Sequence, residues 1–326
     1  MTPTVQFLAR VIQENIARVI VGKAQTVELL LAALLTEGHV LIEDAPGLGK
    51  TKLAKALARS LGCSFQRLQF TPDLLPSDIT GVNVFNQKTG EFDFRPGPVM
   101  AQIVLADEIN RAGPRTQSAL LEAMEERQIT VDGVTRPLPR PFLVLATQNP
   151  IELEGTFPLP EAQLDRFLLR LTIGYPESEE ERAILRRFRE RDPLDELQPV
   201  ASGEDVLAMA RACRGVHVGE AMETYILKLT RATRGDPAVA LGASPRGALA
   251  LYHTAQALAA LRGRDFVSPD DVQALVMPVL AHRLIPSGQS RVRGKAVADI
   301  LRELAARVPV PVEESWSEDS QHQADI

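Results

Sequence analysis

The sequence predicts an α/β protein in which a three-layer domain, built on a parallel sheet, is followed by an all-α domain. Three observations predict this architecture. Short apolar runs of strand length alternate with helical patterns in the first half of the chain, which is typical of a parallel sheet with helices on both faces. A glycine-rich loop separates the first apolar run from the helix that follows it. After about residue 174 the helical patterns continue, whereas the strand signals stop.

The first half of the chain contains the predicted sheet and two hairpins that interrupt it. Helical spacing predicts helices over residues 4–20, 27–35, 50–61 and 114–127. Apolar runs predict strands at His39–Ile42, Phe65–Phe70, Ile103–Ala106, Phe142–Thr147 and Phe167–Ile173. One hairpin is predicted at Gly81–Arg95, with its turn at Asn86–Gly90. The other is predicted at Ile129–Leu138, where Asp132-Gly133 favours a two-residue turn.

The second half of the chain is predicted to be helical. Ser178 and Glu181 form a capping-box pattern, and Ser244 and Ser268 each precede a proline that suits a first helical turn. Helices are predicted over residues 178–191, 203–213, 220–233, 245–262, 269–282 and 294–307. We therefore expect an α/β domain at 1–175, a helical domain at 176–307 and a flexible acidic tail at 308–326, which contains Trp316.

The composition is ordinary for a globular protein and argues against several classes of protein. The 36 basic and 42 acidic residues give a net charge of −6, whereas a dedicated nucleic-acid binder presents a strongly basic face. No apolar run reaches the roughly 20 residues that a membrane span requires. Cys63 and Cys213 have no CxxC partner and are expected to be free thiols in a reducing compartment. We therefore expect a cytoplasmic protein.

The segment from Asp44 to Thr51 has the features of a loop that binds phosphates. Its sequence is Asp-Ala-Pro-Gly-Leu-Gly-Lys-Thr, between a predicted strand and a predicted helix. Glycines let backbone N–H groups approach phosphate oxygens, and the helix N-terminus adds its positive dipole. Lys50 can supply positive charge to the outer phosphates, and the Thr51 hydroxyl can bind Mg²⁺. The alternative is a turn that carries an exposed lysine.

Asp44 departs from the pattern G-x-x-x-x-G-K-[ST], which has a glycine at that position. A carboxylate beside bound phosphates is unfavourable unless its side chain points away from them. The rest of the match, with a strand before it and a helix after it, still favours phosphate binding. We therefore expect the substitution Asp44→Gly, which restores the usual residue, to be tolerated.

Asp107 and Glu108 form an acidic pair at the end of the predicted strand Ile103–Ala106. Ligand sites in parallel sheets lie at the carboxyl ends of the strands. One carboxylate can orient Mg²⁺ through its water shell, and the next can polarise a water for attack on a γ-phosphate. The alternative is a plain Asp-Glu turn, but the phosphate loop upstream favours a catalytic pair.

Long motifs give the chain a specific resemblance to a known family. They are Ala106–Ala112 (ADEINRA), Thr116–Glu126 (TQSALLEAMEE), Ala146–Phe167 (ATQNPIELEGTFPLPEAQLDRF) and Gly242–Gly247 (GASPRG). Together with the phosphate loop, these motifs resemble the MoxR family of AAA+ ATPases, over roughly residues 5–305. The resemblance implies an AAA+ P-loop nucleotide-binding domain followed by a helical lid, which agrees with the predicted fold class.

The resemblance implies roles for the residues already identified. Lys50 and Thr51 correspond to the Walker A residues that bind phosphate and Mg²⁺. Asp107 and Glu108 correspond to Walker B, with Asp107 near Mg²⁺ through water and Glu108 activating the attacking water. Further nucleotide contacts are expected from the rest of the loop and from a segment that resembles the family's adenine contact. They are Pro46, Gly47, Leu48, Gly49, Lys52, Val21 and Gly22.

Three further residues match catalytic positions of the family. Asn149 matches sensor 1, which orients the water or the γ-phosphate, although by itself it could equally form a strand-end Asn-Pro turn. Arg166 matches the arginine finger that reaches the ATP of a neighbouring subunit, and the alternative is a surface arginine paired with Asp165. Arg246 matches sensor 2, and the alternative is an exposed arginine in the first turn of a helix.

The resemblance also implies a function, namely a ring-forming ATPase, expected to be a hexamer, that uses ATP and Mg²⁺ to remodel or activate a protein client. The implied partner carries a von Willebrand factor A domain. The two hairpins correspond to features that face a pore or a partner, and the first hairpin's charges cancel, which does not favour DNA tracking. The alternatives are a nucleotide-gated assembly protein with little turnover and the ATPase subunit of a metal-chelatase-like complex.

Overall fold

The structure, a computed structural model, describes residues 4–149 and 155–311. Its first part begins with two helices and then alternates strands with helices. The elements of this part are, in chain order, α1 (Val5–Ala17), α2 (Ala24–Leu35), β1 (Val40–Glu43), α3 (Lys50–Ser60), β2 (Phe65–Gln69), α4 (Pro76–Thr80), β3 (Gly81–Asn86), β4 (Glu91–Pro96), β5 (Ile103–Asp107), α5 (Pro114–Glu126), β6 (Gln128–Val131), β7 (Val134–Pro137), β8 (Leu143–Gln148), α6 (Glu161–Leu164) and β9 (Leu169–Leu171). All the helices and strands predicted for this part are present, and the short helices α4 and α6 are additional.

Five of these strands form one sheet, in the order β2-β5-β8-β1-β9. All four pairings between neighbours are parallel, which confirms the predicted parallel sheet. Parallel neighbours end at the same edge, and the register places Glu43 of β1 beside Gln148 of β8. The phosphate loop and the acidic pair, which follow β1 and β5, therefore begin at one edge of the sheet.

Both predicted hairpins are present and pack against each other. The turn between β6 and β7 has positive φ angles at Asp132 (50°) and Gly133 (78°), as a two-residue hairpin turn of this kind requires. Asn83 in β3 donates from Nδ2 to Oδ2 of Asp132 at 2.7 Å. The guanidinium of Arg136 lies 4.0 Å from the centre of the Phe94 ring. The two hairpins therefore contact each other through both polar and cation–π interactions.

The second part of the described chain is mostly helical. Its elements are α7 (Ser178–Arg187), α8 (Gly203–Cys213), α9 (Glu220–Gly235), β10 (Val239–Leu241), α10 (Pro245–Leu261), α11 (Pro269–Leu280), β11 (Ile285–Pro286), α12 (Gly288–Val292) and α13 (Val297–Arg307). The six predicted helices are therefore present in the predicted order.

Two details of the prediction for this part are wrong. Strand structure does not stop near residue 174, because β10 and β11 pair antiparallel; strands of three and two residues are too short to give an alternating pattern. The residue that caps the N-terminus of α7 is Glu177 and not Ser178. The backbone N–H of Glu177 donates to Oε2 of Glu180 at 2.9 Å. Glu177 and Glu180 therefore form the capping box that was expected from Ser178 and Glu181.

Buried apolar side chains cover both faces of the sheet, which confirms the three-layer arrangement. On one face, Ile79 of α4 and Leu120 of α5 pack against the strands. On the other face, one cluster joins α1, α2 and α3 to α8, α10 and α11, with Leu30, Leu57 and Leu258 among its members. The helical second part therefore shares its core with the N-terminal helices.

The sequence also led to expectations about an acidic tail and about membrane spans. Most of the expected tail at 308–326, including Trp316, lies outside the described residues, which end at 311. In the two described ranges, no helix is both long enough and apolar enough to cross a membrane.

Candidate active site

A cavity of about 590 Å³ lies at the carboxyl edge of the sheet, between the phosphate loop and α7. This volume is typical of sites for small molecules, which take roughly 300–1,000 Å³. Most of the predicted site residues line it, namely Val21, Pro46, Gly47, Leu48, Gly49, Lys50, Thr51, Lys52, Asp107, Glu108 and Asn149. Gly22, Arg166 and Arg246 are not among the lining residues in the described part of the chain.

The phosphate loop has a conformation that its glycines permit. Gly47 and Gly49 have φ angles of +85° and +81°, which side chains with a Cβ rarely adopt. Gly49 directly precedes α3, so the unpaired N–H groups of the first helical turn are directed at the cavity. The Lys50 amine donates to the carbonyl oxygen of Asp44 at 2.7 Å and crosses the loop. Burial lowers the pKa of Lys50, and nearby carboxylates oppose this shift.

Asp44 fastens the phosphate loop to the segment that follows β9. Its Oδ2 accepts the backbone N–H groups of Ile173 and Gly174, each at 2.7 Å. Its Oδ1 accepts the N–H of Ala45 at 2.9 Å, and the residue is 8% exposed. The side chain therefore points away from the phosphate position, and it connects the loop to the chain that leads into the helical part.

These contacts argue against the expectation that Asp44→Gly is tolerated. We now expect this substitution to lower the free energy of unfolding by about 1.5–3 kcal/mol, because the N–H groups of Ile173 and Gly174 lose a charged acceptor. Urea unfolding of the wild type and the variant measures the difference. Asp44→Asn is the matched control, since its amide oxygen still accepts, and it should lose less. Equal stability of wild type and Asp44→Gly would contradict this role.

Asp107 is held by residues of both neighbouring strands. Its Oδ1 accepts the hydroxyl of Thr147 at 2.6 Å. Its Oδ2 accepts Nε and Nη2 of Arg67 at 3.0 and 2.7 Å. Each carboxylate oxygen has two lone pairs, so Asp107 retains capacity to accept from water. The geometry therefore fits an aspartate that reaches a cation through water.

Glu108 is held in an unusual backbone conformation. Its φ and ψ angles are 58° and 51°, a left-handed conformation that is uncommon for residues with a Cβ. Its N–H donates to the Thr147 hydroxyl at 2.9 Å. Its Oε2 accepts from Gln69 at 2.7 Å and from Arg111 at 3.0 Å. Thr147 thus fixes the backbone of Glu108, while Gln69 and Arg111 fix the direction of its carboxylate.

The other end of the cavity is apolar and suits the base of a nucleotide. The segment after α1 and the face of α7 both contribute, through Val19, Ile20, Val21, Ile184 and Phe188. The Lys52 amine lies 2.5 Å from Asp192 and 4.0 Å from the centre of the Phe188 ring. Lys52 therefore lines the cavity, but its amine contacts Asp192 and the Phe188 ring at the end of α7.

Gly22 lies beside α7. Its φ angle is +73°, which favours glycine because residues with a Cβ rarely adopt it. A Cβ added there would lie 1.8 Å from Oε1 of Glu180, but that atom is the end of a flexible side chain and can move away. Its contact with a nucleotide remains a prediction.

Arg166 and Arg246 lie together, outside the cavity lining. Nε of Arg166 is 3.0 Å from Oε2 of Glu125, and Nη2 of Arg246 is 2.5 Å from Oε1 of the same residue. Asp165 instead pairs with Arg283 at 2.8 Å. Arg166 therefore has Glu125 as its ion-pair partner, and one carboxylate joins the two arginines.

Oxygen donors suitable for Mg²⁺ are present at the phosphate end of the cavity. Thr51 and Asp107 both line it, and hydroxyl and carboxylate oxygens are ligands that Mg²⁺ prefers. In residues 4–149 and 155–311, no group of three or more His, Cys, Asp or Glu side chains could hold a metal ion. Proteins usually hold Mg²⁺ with one or two carboxylates plus substrate phosphates, so the donors fit an ion that arrives with a nucleotide.

Sequence reasoning missed the side chains that orient the acidic pair and the arginines. Arg67 and Gln69 lie in β2, and the register pairs Gln69 with Asp107. Thr147 lies in β8 on the other side of β5. Alternation of polar residues at the end of a strand beside β5 could have indicated Arg67 and Gln69. Nothing local distinguishes Glu125 from the other acidic residues of α5.

Comparisons with known proteins show the family to which this fold belongs. The family model for the ATPase family associated with various cellular activities (AAA) matches residues 39–169, and the AAA lid domain matches residues 231–304. The chain is 52% identical to protein YeaC of Bacillus subtilis, with 93% of this chain and 94% of the relative covered. It is 46% identical to the chaperone MoxR1 of Mycobacterium tuberculosis, with 86% and 76% covered.

A solved structure agrees over nearly the whole length of the chain. It is the crystal structure of a candidate ATPase from Cytophaga hutchinsonii, with a TM-score of 0.89 and 38% identity, and the match covers 94% of this chain and 96% of that one. The resemblance drawn from the motifs and the α/β fold with a helical lid are thus confirmed. The chain belongs to the MoxR family of AAA+ ATPases.

Proposed function

We propose that this protein binds Mg-ATP, hydrolyses it in a ring-shaped oligomer and uses the cycle to remodel or activate a protein client. One observation carries the proposal: Lys50, Thr51, Asp107 and Glu108 converge on a single cavity of suitable size. ATPase activity is general in the family, and the relative MoxR1 is described as a chaperone. We expect the ring to be a hexamer and the client or its partner to carry a von Willebrand factor A domain.

Each residue of the cavity has a separate task in this proposal. The N–H groups of the loop and of the first turn of α3 bind phosphate oxygens, and Lys50 adds positive charge. Thr51 and Asp107 would hold Mg²⁺, which supplies charge that neutralises the phosphate oxygens. Glu108 polarises the attacking water, and Asn149, directly after β8, orients that water or the γ-phosphate.

The position of the two arginines supports the oligomer. Arg166 and Arg246 lie outside the cavity lining and are joined through Glu125. Neither arginine lines the cavity that contains the phosphate loop of the same subunit. In the proposed oligomer both would therefore contact the nucleotide bound in a second subunit. Each complete active site would therefore combine the cavity of one subunit with the arginines of the next.

Lys50→Ala tests the nucleotide site directly. We expect it to weaken Mg-ATP binding by roughly 10- to 100-fold, because a hydrogen bond to a charged group contributes about 1.5–3 kcal/mol. Isothermal titration calorimetry measures the affinity. Lys55→Ala is the matched control, since Lys55 is an exposed lysine of the same helix. Unchanged affinity in Lys50→Ala would remove Lys50 from the site.

The two hairpins offer a surface for the client. Phe85 and Phe92 are 52% and 69% exposed, and their ring centroids are 5.3 Å apart. Val134 of the second hairpin is also half exposed. Exposed apolar groups of this kind are typical of interaction sites. Each hairpin precedes a strand that ends at the ATP site, so the hairpins are well placed to couple hydrolysis to a client.

Deleting Asn86–Gly90 tests this surface. We expect the deletion to remove most capture of a von Willebrand factor A domain protein by the ATP-loaded protein, while Mg-ATP affinity stays at the wild-type level. Affinity capture followed by calorimetry measures both quantities. A chain cut after Val310 is the control and should keep most of the capture. Loss of capture in that truncated chain alone would show that the tail is the docking element.

A further inference from the structure

One carboxylate, that of Glu125, joins two arginines that come from distant parts of the chain. Glu125 lies near the end of α5, Arg166 follows α6, and Arg246 lies in the first turn of α10. Each of its oxygens takes one arginine: Oε2 is 3.0 Å from Nε of Arg166, and Oε1 is 2.5 Å from Nη2 of Arg246. The α/β part and the helical part therefore meet at this residue.

The backbones that carry the two arginines are fixed independently of Glu125. The Ser244 hydroxyl, which precedes α10, donates to Oδ2 of Asp165 at 3.0 Å. Arg283, whose side chain is 3% exposed, donates to Oδ1 of Asp165 at 2.8 Å and to the carbonyl oxygen of Phe167 at 2.7 Å. The start of α10 and the segment after α6 are thus held together by Asp165 and the buried Arg283.

The ends of the two arginine side chains are much less constrained. The side chains of Arg166 and Arg246 are 33% and 50% exposed. Two guanidinium groups brought this close repel each other, and each long side chain has several rotamers that would separate them. A single carboxylate between them removes the repulsion and leaves the cluster with a net charge of about +1. Such a cluster still attracts a phosphate.

The contact at Arg166 also leaves its guanidinium suited to phosphate. A guanidinium has five N–H donors, and the ion pair of Arg166 with Glu125 is made through Nε. The two Nη groups, which form the end of the side chain, are the donors that extend farthest from the backbone. Glu125 can therefore keep its contact while the same arginine binds a phosphate oxygen.

We propose that Glu125 is a positioning residue that holds Arg166 and Arg246 as a preformed pair for the γ-phosphate bound in the neighbouring subunit. This inference rests on the proposed function, in which hydrolysis takes place between subunits. Glu125 acts through the two arginines and does not touch the nucleotide. Its charge, and not only its shape, is required, because only a carboxylate offsets the repulsion between two cations.

Glu125→Gln tests this role, with Glu126→Gln as the matched control one residue away in the same helix. We expect Glu125→Gln to lower kcat for ATP hydrolysis about tenfold, since contacting residues are coupled by factors of this size. Mg-ATP affinity, measured by calorimetry, should stay at the wild-type level and shows that the variant is folded. Glu126→Gln should leave kcat unchanged. A wild-type kcat in Glu125→Gln would overturn the proposal.

Two further measurements separate positioning from a general structural effect. In the Arg166→Ala background, Glu125→Gln should reduce kcat by less than about twofold, because the repulsion between two arginines that Glu125 offsets is absent when one of them is removed. Mixed rings of Glu125→Gln and Lys50→Ala subunits should recover hydrolysis, because Lys50→Ala subunits present an intact arginine pair to the cavity of the other variant. A full tenfold loss in the Arg166→Ala background, or no recovery in confirmed mixed rings, would overturn the proposal.

The outcome also distinguishes this inference from the function on which it rests. If the wild type hydrolyses ATP and Arg166→Ala does not, while Glu125→Gln is fully active, the proposed function stands and the role of Glu125 is refuted. If the assembled wild type does not hydrolyse ATP at all, the proposed function fails, and the role of Glu125 fails with it.

Discussion

Glu108→Gln is expected to reduce ATP hydrolysis by roughly 10²- to 10⁴-fold, the contribution of a positioned general base. The amide has nearly the shape of the carboxylate, so it can still accept a hydrogen bond from Gln69. It cannot, however, polarise water as a negatively charged group does. The left-handed backbone at Glu108, together with its contacts to Gln69 and Arg111, holds this group in one direction.

The same variant should bind Mg-ATP with wild-type affinity, because Glu108 does not hold the phosphates. Steady-state hydrolysis assays and calorimetry measure the two quantities side by side. Glu122→Gln, an exposed glutamate of α5, is the matched control and should leave both unchanged. Wild-type turnover in Glu108→Gln would refute the assignment. Binding without turnover in the wild type itself would instead favour the nucleotide-gated assembly protein.

Arg166→Ala is expected to have the largest effect of all on hydrolysis. Arginine fingers increase the rate by about 10³- to 10⁵-fold in well-studied nucleotide hydrolases, which corresponds to about 4–7 kcal/mol of activation free energy. Its own Mg-ATP affinity should be little changed, since Arg166 lies outside the cavity lining. Hydrolysis assays on the assembled protein measure the loss, and Arg186→Ala, which changes an arginine of α7, is the control.

Mixing variants shows whether Arg166 acts on a neighbour. Arg166→Ala subunits keep an intact phosphate loop, and Lys50→Ala subunits keep an intact arginine. Together they should recover part of the hydrolysis that neither variant has alone. An inactive mixture, in rings shown to contain both variants, would count against action between subunits.

Local patterns predicted the longer helices, the strands of the parallel sheet and the phosphate end of the candidate site. The glycines at 47 and 49 and the helix from Lys50 are encoded within a few residues, because φ preferences and helix starts are local properties. The apolar runs predicted the strands, since buried parallel strands are apolar along their whole length. Lys50, Asp107 and Glu108 could therefore be named as candidate site residues from the sequence, and all three line the cavity.

Long-range pairs could not be predicted in the same way. Asp44 was interpreted as a weakened glycine position, whereas its carboxylate binds N–H groups at residues 173 and 174. Glu125 has no local signature, because its partners Arg166 and Arg246 lie far along the chain. Such contacts depend on how the layers pack, and no local pattern of residues indicates that packing.

The continuous core described above limits how the lid can move. Side chains of α8, α10 and α11 pack in one cluster with α1, α2 and α3, and packed interiors do not open without losing many contacts. A wide hinge opening would expose this cluster to water. In a shear motion, packed helices slide by small amounts and stay in contact, so the cluster would remain buried. Nucleotide-dependent motion in this protein should therefore consist of small displacements of packed helices, and not of a wide opening between the α/β part and the helical part.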